Sequence, residues 1–295
     1  MEKIRWTKQR LTTIILTFNS EAILSRVVEA AAKISSRILV VDSFSTDQTP
    51  ALARTLGCEL IQHPFENYSR QRNWAQGQAS LKPDDWVLHL DADEVISPRL
   101  AHEIQEAISD PDSADGFLIR KRLYFLGKPI RFGHLNPSWH LRLFRAGKGR
   151  CEDRNYDQHF LVEGPVKKLS GILHDFQAAT IEAWTQSHNR WSTAEALEIL
   201  EEFRPTHNDT LLQPSLSSDD PRKQKRWLKN NIYYRVPSFL RAFGVFLYSY
   251  IFRLGFLDGK AGLIYHVLQA FWFRFLVDAK IEEMKNANPS PYPRA

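Results

Sequence analysis

Short apolar runs alternate with stretches of helical periodicity over the first hundred residues of the chain. Four runs have the length and composition of buried strands: Leu11–Leu16, Ile38–Val41, Glu59–His63 and Trp86–Leu90. The segment 22–34, between the first two, repeats its apolar positions at helical spacing. Strand–helix alternation of this kind predicts parallel strands with helices on both faces, so we expect an α/β fold.

Polar side chains follow three of these predicted strands, at the points where the strands end. Asn19 follows the first strand, Asp42 the second, and Asp91 and Asp93 the fourth. In open α/β sheets, ligands bind beyond the carboxyl ends of the strands. We therefore expect these four side chains to form one binding constellation.

The two aspartates after the fourth strand have a spacing that suits a metal ion. On a regular strand Asp91 and Asp93 would point to opposite faces, but where the strand ends and the chain turns they can converge on one cation. Two carboxylates and a diphosphate complete the oxygen-rich shell that Mg²⁺ or Mn²⁺ favours. The pair predicts an enzyme acting on a nucleotide-activated substrate. The alternative is a pair of solvated loop carboxylates.

The pattern changes to short strands and turns after residue 115, and helical periodicity returns near residue 180. We expect a catalytic domain over 8–175 that is followed by a helical region. The predicted segments are 8–100 and 101–175 within this domain, a helix and linker at 176–220, and a basic, aromatic helical extension at 221–285.

The composition is that of a folded protein, but its charge is unevenly distributed. The 295 residues are 43% hydrophobic and 25% charged, with a net charge of +5. Between Arg222 and Lys260 there are nine lysines and arginines against one acid, Asp258. This block is interleaved with aromatic residues, which suits an anionic membrane surface or nucleic acid. Two cysteines, and a first segment Met1–Trp6 without the apolar core of a secretory signal, favour a cytoplasmic protein.

Two uncharged runs near the C-terminus, Ala242–Phe252 and Ala261–Phe273, are shorter than the roughly 20 residues of a spanning helix. They favour an in-plane amphipathic anchor, with aromatic residues inserted and basic residues on anionic headgroups. The alternative is ordinary helical packing onto the catalytic domain or onto a subunit partner.

Four motifs occur in order within the first hundred residues: Thr17-Phe-Asn19 with Glu21, Val40–Thr49, Gln71-Arg-Asn73 and Leu90–Glu94. Together they resemble the family 2 inverting glycosyltransferases, which have the GT-A nucleotide-sugar-binding fold. Further motifs are similar to the bacterial branch that builds lipopolysaccharide core and exopolysaccharide: Tyr124–Gly127, Leu141–Arg145 and Gly255–Gly259. The resemblance implies a Rossmann-like mixed sheet flanked by helices, with a C-terminal helical membrane-associating extension. It also implies that 8–100 is the nucleotide-sugar half of the catalytic domain and 101–175 the acceptor half.

The resemblance also implies the donor-binding residues. Asp42 should accept hydrogen bonds from the nucleotide base, of a UDP-sugar by resemblance, and Arg72 should lie against that base. The remaining nucleotide-binding residues are Thr17, Asn19, Glu21 and Asp91. Turn chemistry and helix capping account for Ser45 or Thr46, but in our interpretation not for Asp42. Arg72 can equally be a charge on a helix surface.

An inverting transfer needs one further carboxylate, which removes the proton of the acceptor hydroxyl. We favour Asp157 as this base, with Glu152 and Asp153 as the other candidates. Close relatives have a His-Glu pair where this chain has Asp157-Gln158, and glutamine cannot serve as a base. The alternative for Asp157 is a loop carboxylate that pairs with Arg154. His159 is a candidate metal ligand or phosphate donor, or else a structural histidine.

Other classes of protein explain fewer of these features. A dinucleotide-binding dehydrogenase is excluded because no G-x-G-x-x-G follows an early strand, and a nucleotidyltransferase usually needs a glycine-rich loop after the first strand. A nucleic-acid binder leaves the aspartates unexplained, so we expect no nucleic-acid partner. The segment Gln186-Ser-His-Asn-Arg190-Trp191 has one residue too many for the Q-x-x-R-W motif of processive synthases, so processive polymerisation is not expected.

We expect a Mg²⁺- or Mn²⁺-dependent inverting glycosyltransferase, peripheral on the inner face of the cell membrane, with a saccharide or lipid-linked acceptor. The alternative is a non-catalytic nucleotide-binding or membrane-associated scaffold.

Overall fold

The computed structural model describes residues 11–110, 112–177, 180–202 and 211–286. They form two compact units whose segments are interleaved along the chain. The sheet unit contains the described residues up to Leu123, with Pro137–Asp153 and Gln158–Phe176. The helical unit contains Tyr124–Asn136, Arg154–Asp157 and the described residues from Gln177 onward. The predicted domain boundaries follow the chain in sequence order, and they stay a prediction.

The strands form one large mixed sheet and one small ribbon. The large sheet has the order β3-β2-β1-β4-β8-β6-β11-β5, with β7 paired to β6, and the ribbon pairs β9 with β10. The strands are β1 Leu11–Thr17, β2 Arg37–Asp42, β3 Glu59–Gln62, β4 Trp86–Asp91, β5 Glu94–Ile96, β6 Gly116–Phe125, β7 Lys128–Pro129, β8 Ser138–Arg145, β9 Gly149–Cys151, β10 Phe160–Val162 and β11 Val166–Phe176.

Helices connect the first strands and make up most of the helical unit. The α-helices are α1 Leu24–Ala32, α2 Thr49–Thr55, α3 Tyr68–Gln78, α4 Pro98–Ser109, α5 Ile181–Glu202, α6 Pro221–Asn231, α7 Leu240–Leu247, α8 Gly259–His266 and α9 Phe273–Asn286. Tighter 3₁₀ turns lie at Tyr233–Arg235 and Gly255–Asp258, and wider π segments at Tyr248–Phe252 and Val267–Trp272.

The register of the parallel strands aligns the polar residues that were predicted to converge. β1 pairs in parallel with β2 and β4, so that Thr17 lies opposite Asp42 and Leu16 lies opposite Asp91. β8 then pairs antiparallel to β4, which makes the sheet mixed. The predicted α/β fold class, with a mixed sheet flanked by helices and a C-terminal helical extension, is confirmed.

Alternate residues of the central strands pack into two apolar layers, one on each face of the sheet. On β1, Leu11 and Ile15 belong to one buried cluster, whereas Ile14 and Leu16 belong to the other. This follows from the two-residue period of a strand whose two faces are both covered. The rigid, doubly covered sheet holds the carboxyl ends of β1, β2 and β4 in fixed positions.

Two predicted elements begin or end differently in the structure. Ser45 or Thr46 was expected to cap the helix after β2, but α2 begins at Thr49 and its N-cap residue, Gln48, provides no side-chain cap. The predicted helix and linker at 176–220 lies in part outside the described residues. Its last residue, Asp220, caps α6 by accepting a hydrogen bond from the backbone N–H of Arg222.

Among the described helices, none is by itself long and apolar enough to cross a bilayer. The segments Leu240–Phe252 and Gly255–Asn286 meet the length and composition criteria only when taken together, and they are bent by 71° at the break between them.

The backbones of β11 and α4 approach each other closely, and this contact provides a test of how the helix packs on the sheet. A Cβ atom added to Gly171 would lie 2.4 Å from Cα of Leu100, so we expect Gly171→Ala to lower the free energy of unfolding by about 1–3 kcal/mol through overpacking. Gly77 is exposed within α3 and has open space beside it, so Gly77→Ala should raise stability by about 0.5–1 kcal/mol. Urea unfolding of both variants measures the difference, and equal effects would contradict the described packing.

Candidate functional site

The loops that follow β1 and β2 are tied together by reciprocal hydrogen bonds. The side-chain oxygen of Asn19 accepts a hydrogen bond from the backbone N–H of Thr46 at 2.9 Å, and the Glu21 carboxylate accepts one from that of Gln48 at 2.8 Å. In return, the backbone N–H of Glu21 donates to the Asp47 carboxylate at 3.1 Å. Asn19 has φ of 48°, a left-handed conformation that asparagine tolerates well. These bonds preorganise the edge of the sheet at two adjacent strands.

Asp42 is completely buried beneath these loops. Its carboxylate accepts hydrogen bonds from the Thr17 hydroxyl, the Gln62 amide, and both the backbone N–H and the hydroxyl of Ser45. The interpretation that turn chemistry does not account for Asp42 was therefore wrong, because its bonds to Ser45 close the turn after β2. Recognition of a nucleotide base by Asp42 stays a prediction.

At the carboxyl end of β4, Asp91 is held between two buried guanidinium groups. Arg72 donates to both of its carboxylate oxygens, at 2.8 and 3.1 Å, and Arg142 donates at 2.6 Å. The same Arg142 nitrogen contacts Glu94 at 2.6 Å, and Glu94 also accepts from the backbone N–H of Asp91. The alternative that Arg72 is a surface charge was wrong, because its side chain is buried within this network.

The network continues through Lys121 on β6. The Lys121 ammonium lies 2.6 Å from the Glu94 carboxylate and 2.7 Å from that of Asp175 on β11. Glu94 has no exposed surface. Each of these buried carboxylates therefore has a cationic partner, which is what keeps a charge stable in a protein interior.

Asp93 differs from its neighbours in having no such partner. Within the part of the chain that the structure describes, no hydrogen bond or ion pair involves its carboxylate. Burial and the charges of Asp175 and Asp91 raise the pKa of Asp93 well above its usual range. For Asp91, burial acts in the same direction, but Arg142 and Arg72 overcome it and hold the pKa well below the usual range.

The residues at this edge fit a divalent cation through Asp93. Its carboxylate carries the uncompensated charge, whereas Asp91 already has two arginine partners. No group of three or more His, Cys, Asp or Glu side chains among the described residues has an arrangement that could hold a metal. His159 is thus not gathered with Asp91 and Asp93 in such a group. A cation here would need ligand atoms from a substrate, as a diphosphate supplies.

The three predicted base candidates lie in different surroundings. Glu152 is buried, and its carboxylate accepts a hydrogen bond from the backbone N–H of His159 at 2.7 Å. Asp153 is exposed. His159 is half-buried, and its backbone carbonyl accepts a hydrogen bond from the Glu152 backbone N–H. Glu152 therefore stabilises the turn between β9 and β10.

Asp157 lies in the helical unit, where its side chain is 31% exposed. Lys229 on α6 contacts the Asp157 carboxylate at 3.1 Å and that of Glu195 on α5 at 3.0 Å. Arg226 donates a hydrogen bond to the Asp157 carbonyl at 2.8 Å. The alternative pairing of Asp157 with Arg154 was wrong, because Arg154 pairs with Glu198.

Asp157 has a left-handed backbone and charged surroundings. Its φ of 55° lies in a region that aspartate and asparagine adopt more readily than other side chains. Burial lowers the pKa of Lys229, but the charges of Asp157 and Glu195 outweigh it and hold this pKa well above its usual range. Lys229 therefore stays a cation beside the carboxylate.

Sequence reasoning missed Arg142 and Lys121 as parts of the network. Arg142 stands between two leucines on β8, and Lys121 has Ile119 and Leu123 two positions away on β6. A charge buried in such a strand requires a partner of opposite sign. That signal could have identified them as buried cations. It could not have identified their partners, because Glu94 and Asp175 are far from them in sequence.

The sheet has the arrangement that the resemblance to the GT-A fold implied: parallel strands β3-β2-β1-β4 are extended by antiparallel strands, with charged loops at the carboxyl ends. Residues 12–156 match the model of the family described as Glycosyl transferase family 2. This segment, about half of the chain, is therefore similar to glycosyltransferase family 2, in agreement with the resemblance of its motifs.

Two relatives and one solved structure illustrate the similarity. An uncharacterized glycosyltransferase of Rickettsia typhi is 26% identical over 287 residues, which cover 94% of this chain and 88% of the relative. The lipopolysaccharide core biosynthesis glycosyltransferase LpsC of Rhizobium meliloti is 27% identical over 201 residues, covering 66% and 73% respectively. The crystal structure of S. aureus TarS 1–349 in complex with UDP is 15% identical with a TM-score of 0.41, covering 95% of this chain and 93% of that one. This structural likeness is too distant to say anything about the reaction.

The buried network predicts a strong dependence of stability on Arg142. Arg142→Met should lower the free energy of unfolding by about 3–5 kcal/mol, because Asp91 and Glu94 each lose a buried partner. Arg150 is exposed on β9, and the matched Arg150→Met should change stability by no more than about 0.5 kcal/mol. Urea unfolding measures both, and similar values for the two variants would show that the network contributes little.

Proposed function

We propose that this chain is an inverting glycosyltransferase that transfers a sugar from a UDP-sugar to a saccharide or lipid-linked acceptor. The observation that carries the proposal is the contrast at the end of β4, where Asp91 is neutralised by two arginines and Asp93 is not. A site that leaves one carboxylate uncompensated at a ligand-binding edge is suited to a cation that arrives with its substrate.

The donor would bind along the loops after β1, β2 and β4. The reciprocal bonds of Asn19 and Glu21 with the loop after β2 fix the shape of this edge. Thr17 and Asp42 lie beneath it, and Arg72 lies between the rings of Tyr68 and Phe160, with its guanidinium carbon 5.6 and 5.4 Å from their centroids. These aromatic and guanidinium groups suit the planar base of a nucleotide.

In this proposal Asp93, with Asp91 behind it, would hold Mg²⁺ or Mn²⁺. The bound ion would supply Lewis-acid stabilisation of the departing diphosphate. The protein's own part is to keep Asp91, Glu94 and Asp175 paired with Arg72, Arg142 and Lys121, so that these cations are not available to neutralise Asp93. His159 is the third predicted metal ligand, and its assignment has no geometric support here.

A thermal-shift panel of UDP, GDP, TDP and CDP, each with and without Mn²⁺, tests the donor site. We expect a Mn²⁺-dependent response to UDP, which at a hundredfold excess over its dissociation constant amounts to about 2.7 kcal/mol. Asp93→Asn should lose this response, whereas Asp112→Asn, at an exposed carboxylate of the same unit, should keep it. A wild-type protein that responds to none of the nucleotides would favour the non-catalytic scaffold.

The raised pKa of Asp93 adds a prediction about the ligand-free protein. A carboxyl whose pKa is higher in the folded than in the unfolded state reduces stability as pH rises through that interval. Asp93→Asn removes this cost, so the variant should melt at a higher temperature than wild type at pH 7. The difference should vanish below about pH 4, where the carboxyl is protonated in both states. Melting curves at pH 3.5 and 7 measure it, and an unchanged or lower melting temperature at pH 7 would contradict the assigned repulsion.

We favour Asp157 as the base. Its carboxylate is partly exposed, whereas that of Glu152 is buried and bonded to the backbone. In the proposed step, the acceptor oxygen attacks C1 of the sugar, and the bond between C1 and the diphosphate oxygen breaks. The proton of the acceptor hydroxyl moves to the Asp157 carboxylate. Lys229 favours the ionised form of this carboxylate, which is the form that a base requires.

Replacing each candidate in turn assigns the base. Asp157→Asn keeps the size of the side chain and its tolerance of positive φ, so it should retain UDP binding while lowering kcat by about 10²–10⁴-fold. Steady-state kinetics of Asp157→Asn, Asp153→Asn and Glu152→Gln, each checked for an unchanged melting temperature, measure this. Full activity in Asp157→Asn together with a loss in Asp153→Asn would move the base to Asp153.

The remaining part of the proposal concerns the acceptor substrate and the location of the protein in the cell. The relative LpsC is named for lipopolysaccharide core biosynthesis, which supports a cell-surface saccharide acceptor and a place on the inner face of the membrane. The helical unit exposes many large apolar side chains, as an in-plane anchor requires. They include Leu240, Phe243, Leu247, Ile251, Phe252, Phe256, Leu257 and Leu263.

A further inference from the structure

A cavity in the helical unit combines an apolar lining with a basic rim. It has a volume of about 490 Å³ and lies between the hairpin of β6 and β7 and the start of α8. Leu126, Phe132, Leu257 and Ile264 provide the apolar lining. This combination differs from that of the donor edge, where the ligand-binding groups are carboxylates and backbone amides.

Three cations line the same cavity: Lys128, Arg131 and Lys260. All three are exposed, and within the described ranges none forms an ion pair with a carboxylate. The one acid in the lining is Asp258, whose Oδ2 accepts hydrogen bonds from the backbone N–H groups of Arg131 and Phe132 at 2.9 and 3.0 Å. The rim therefore has an excess of positive charge and suits an anion.

The wall of the cavity is held in place by hydrogen bonds. The Gly133 N–H donates to the Arg253 carbonyl at 3.0 Å, and the Arg253 guanidinium donates to the Asn136 carbonyl at 3.0 Å. Ser249 accepts a hydrogen bond from the His134 backbone N–H at 3.1 Å. These bonds join the 131–136 segment to the helix region that carries Asp258, so the cavity is preformed.

The surroundings of the cavity are apolar and unusual. Leu126 occupies the tip of the β6–β7 hairpin with φ of 49° and is 40% exposed, although a bulky residue at positive φ is strained. Two phenylalanines that precede Leu257 in the sequence are also exposed: Phe252 is 75% exposed and Phe256 is 45% exposed. An exposed apolar tip beside unpaired cations matches the boundary between lipid headgroups and acyl chains.

We propose that this cavity binds the phosphate headgroup of an anionic phospholipid within the bilayer, with Lys128, Arg131 and Lys260 around the phosphate. The proposal rests on the membrane location given under the proposed function and adds to it a specific lipid site. The apolar lining would hold the glycerol and first acyl carbons, and the hairpin tip would enter the interface. A free phosphate ion would gain nothing from these apolar side chains.

Vesicle flotation of the full chain tests the site. Wild type should bind phosphatidylcholine vesicles containing 30% phosphatidylglycerol and should bind pure phosphatidylcholine weakly. The triple variant Lys128→Gln, Arg131→Gln, Lys260→Gln should partition on the order of a hundredfold more weakly. A control with the same change of charge, Arg190→Gln, Arg235→Gln, Lys285→Gln, alters exposed cations elsewhere in the unit and should stay close to wild type. Equal losses in both triple variants would show general electrostatic attraction and overturn the site.

Filling the cavity separates shape from charge. Ala261→Trp keeps all three cations and should also lose preferential binding to phosphatidylglycerol, and unchanged binding would overturn the proposal.

Thermal shifts with dihexanoyl phosphatidylglycerol and with inorganic phosphate identify the ligand. A response to the short-chain lipid that is lost in the triple variant supports the proposal, and an equal response to phosphate overturns it. The Mn²⁺-dependent UDP response of the same variants, expected to be unchanged, reports on the donor site independently.

Discussion

The arrangement of the sheet unit depends on one buried ion cluster at the end of β4. Arg142 contacts both Asp91 and Glu94, Arg72 completes the neutralisation of Asp91, and Lys121 joins Glu94 to Asp175. The cluster links β4, β5, β6, β8, β11 and α3 through charges that cannot be left single in a protein interior. It fixes the start of the turn after β4, and so the position of Asp93.

This constraint explains why two aspartates with the same spacing have opposite electrostatic states. The ionised form of Asp91 is stabilised by its arginines, and its pKa falls, whereas the repulsion by Asp91 and Asp175 raises that of Asp93. The cluster therefore compensates the charge of Asp91 and, within the described residues, leaves that of Asp93 without a cationic partner.

The sequence predicted the sheet well because its signal is local. The apolar runs of β1, β2 and β4 and the polar residues at their ends are visible in any window of ten residues, and the parallel register then aligns Thr17, Asp42 and Asp91. The partners of these residues were not predictable in the same way. Arg142 is 51 residues from Asp91, and Lys229 is 72 residues from Asp157, so no periodicity links either pair. The alternative that sequence offered for Asp157 was therefore a pairing with nearby Arg154, whereas in the structure Arg154 bonds to Glu198 and Asp157 to Lys229.

The segment Arg154–Asp157 has a further consequence for how the chain is made. It leaves the sheet unit after Asp153 and rejoins it at Gln158, and its four residues are held by side chains of α5 and α6. During synthesis from the N-terminus, every strand of the sheet is complete well before Arg226 and Lys229 leave the ribosome. The strands of the sheet unit can thus form while Asp157 still lacks its partners. The four-residue segment acquires the side chains that hold it only when α5 and α6 have been made, so its conformation is set later than that of the strands on either side of it.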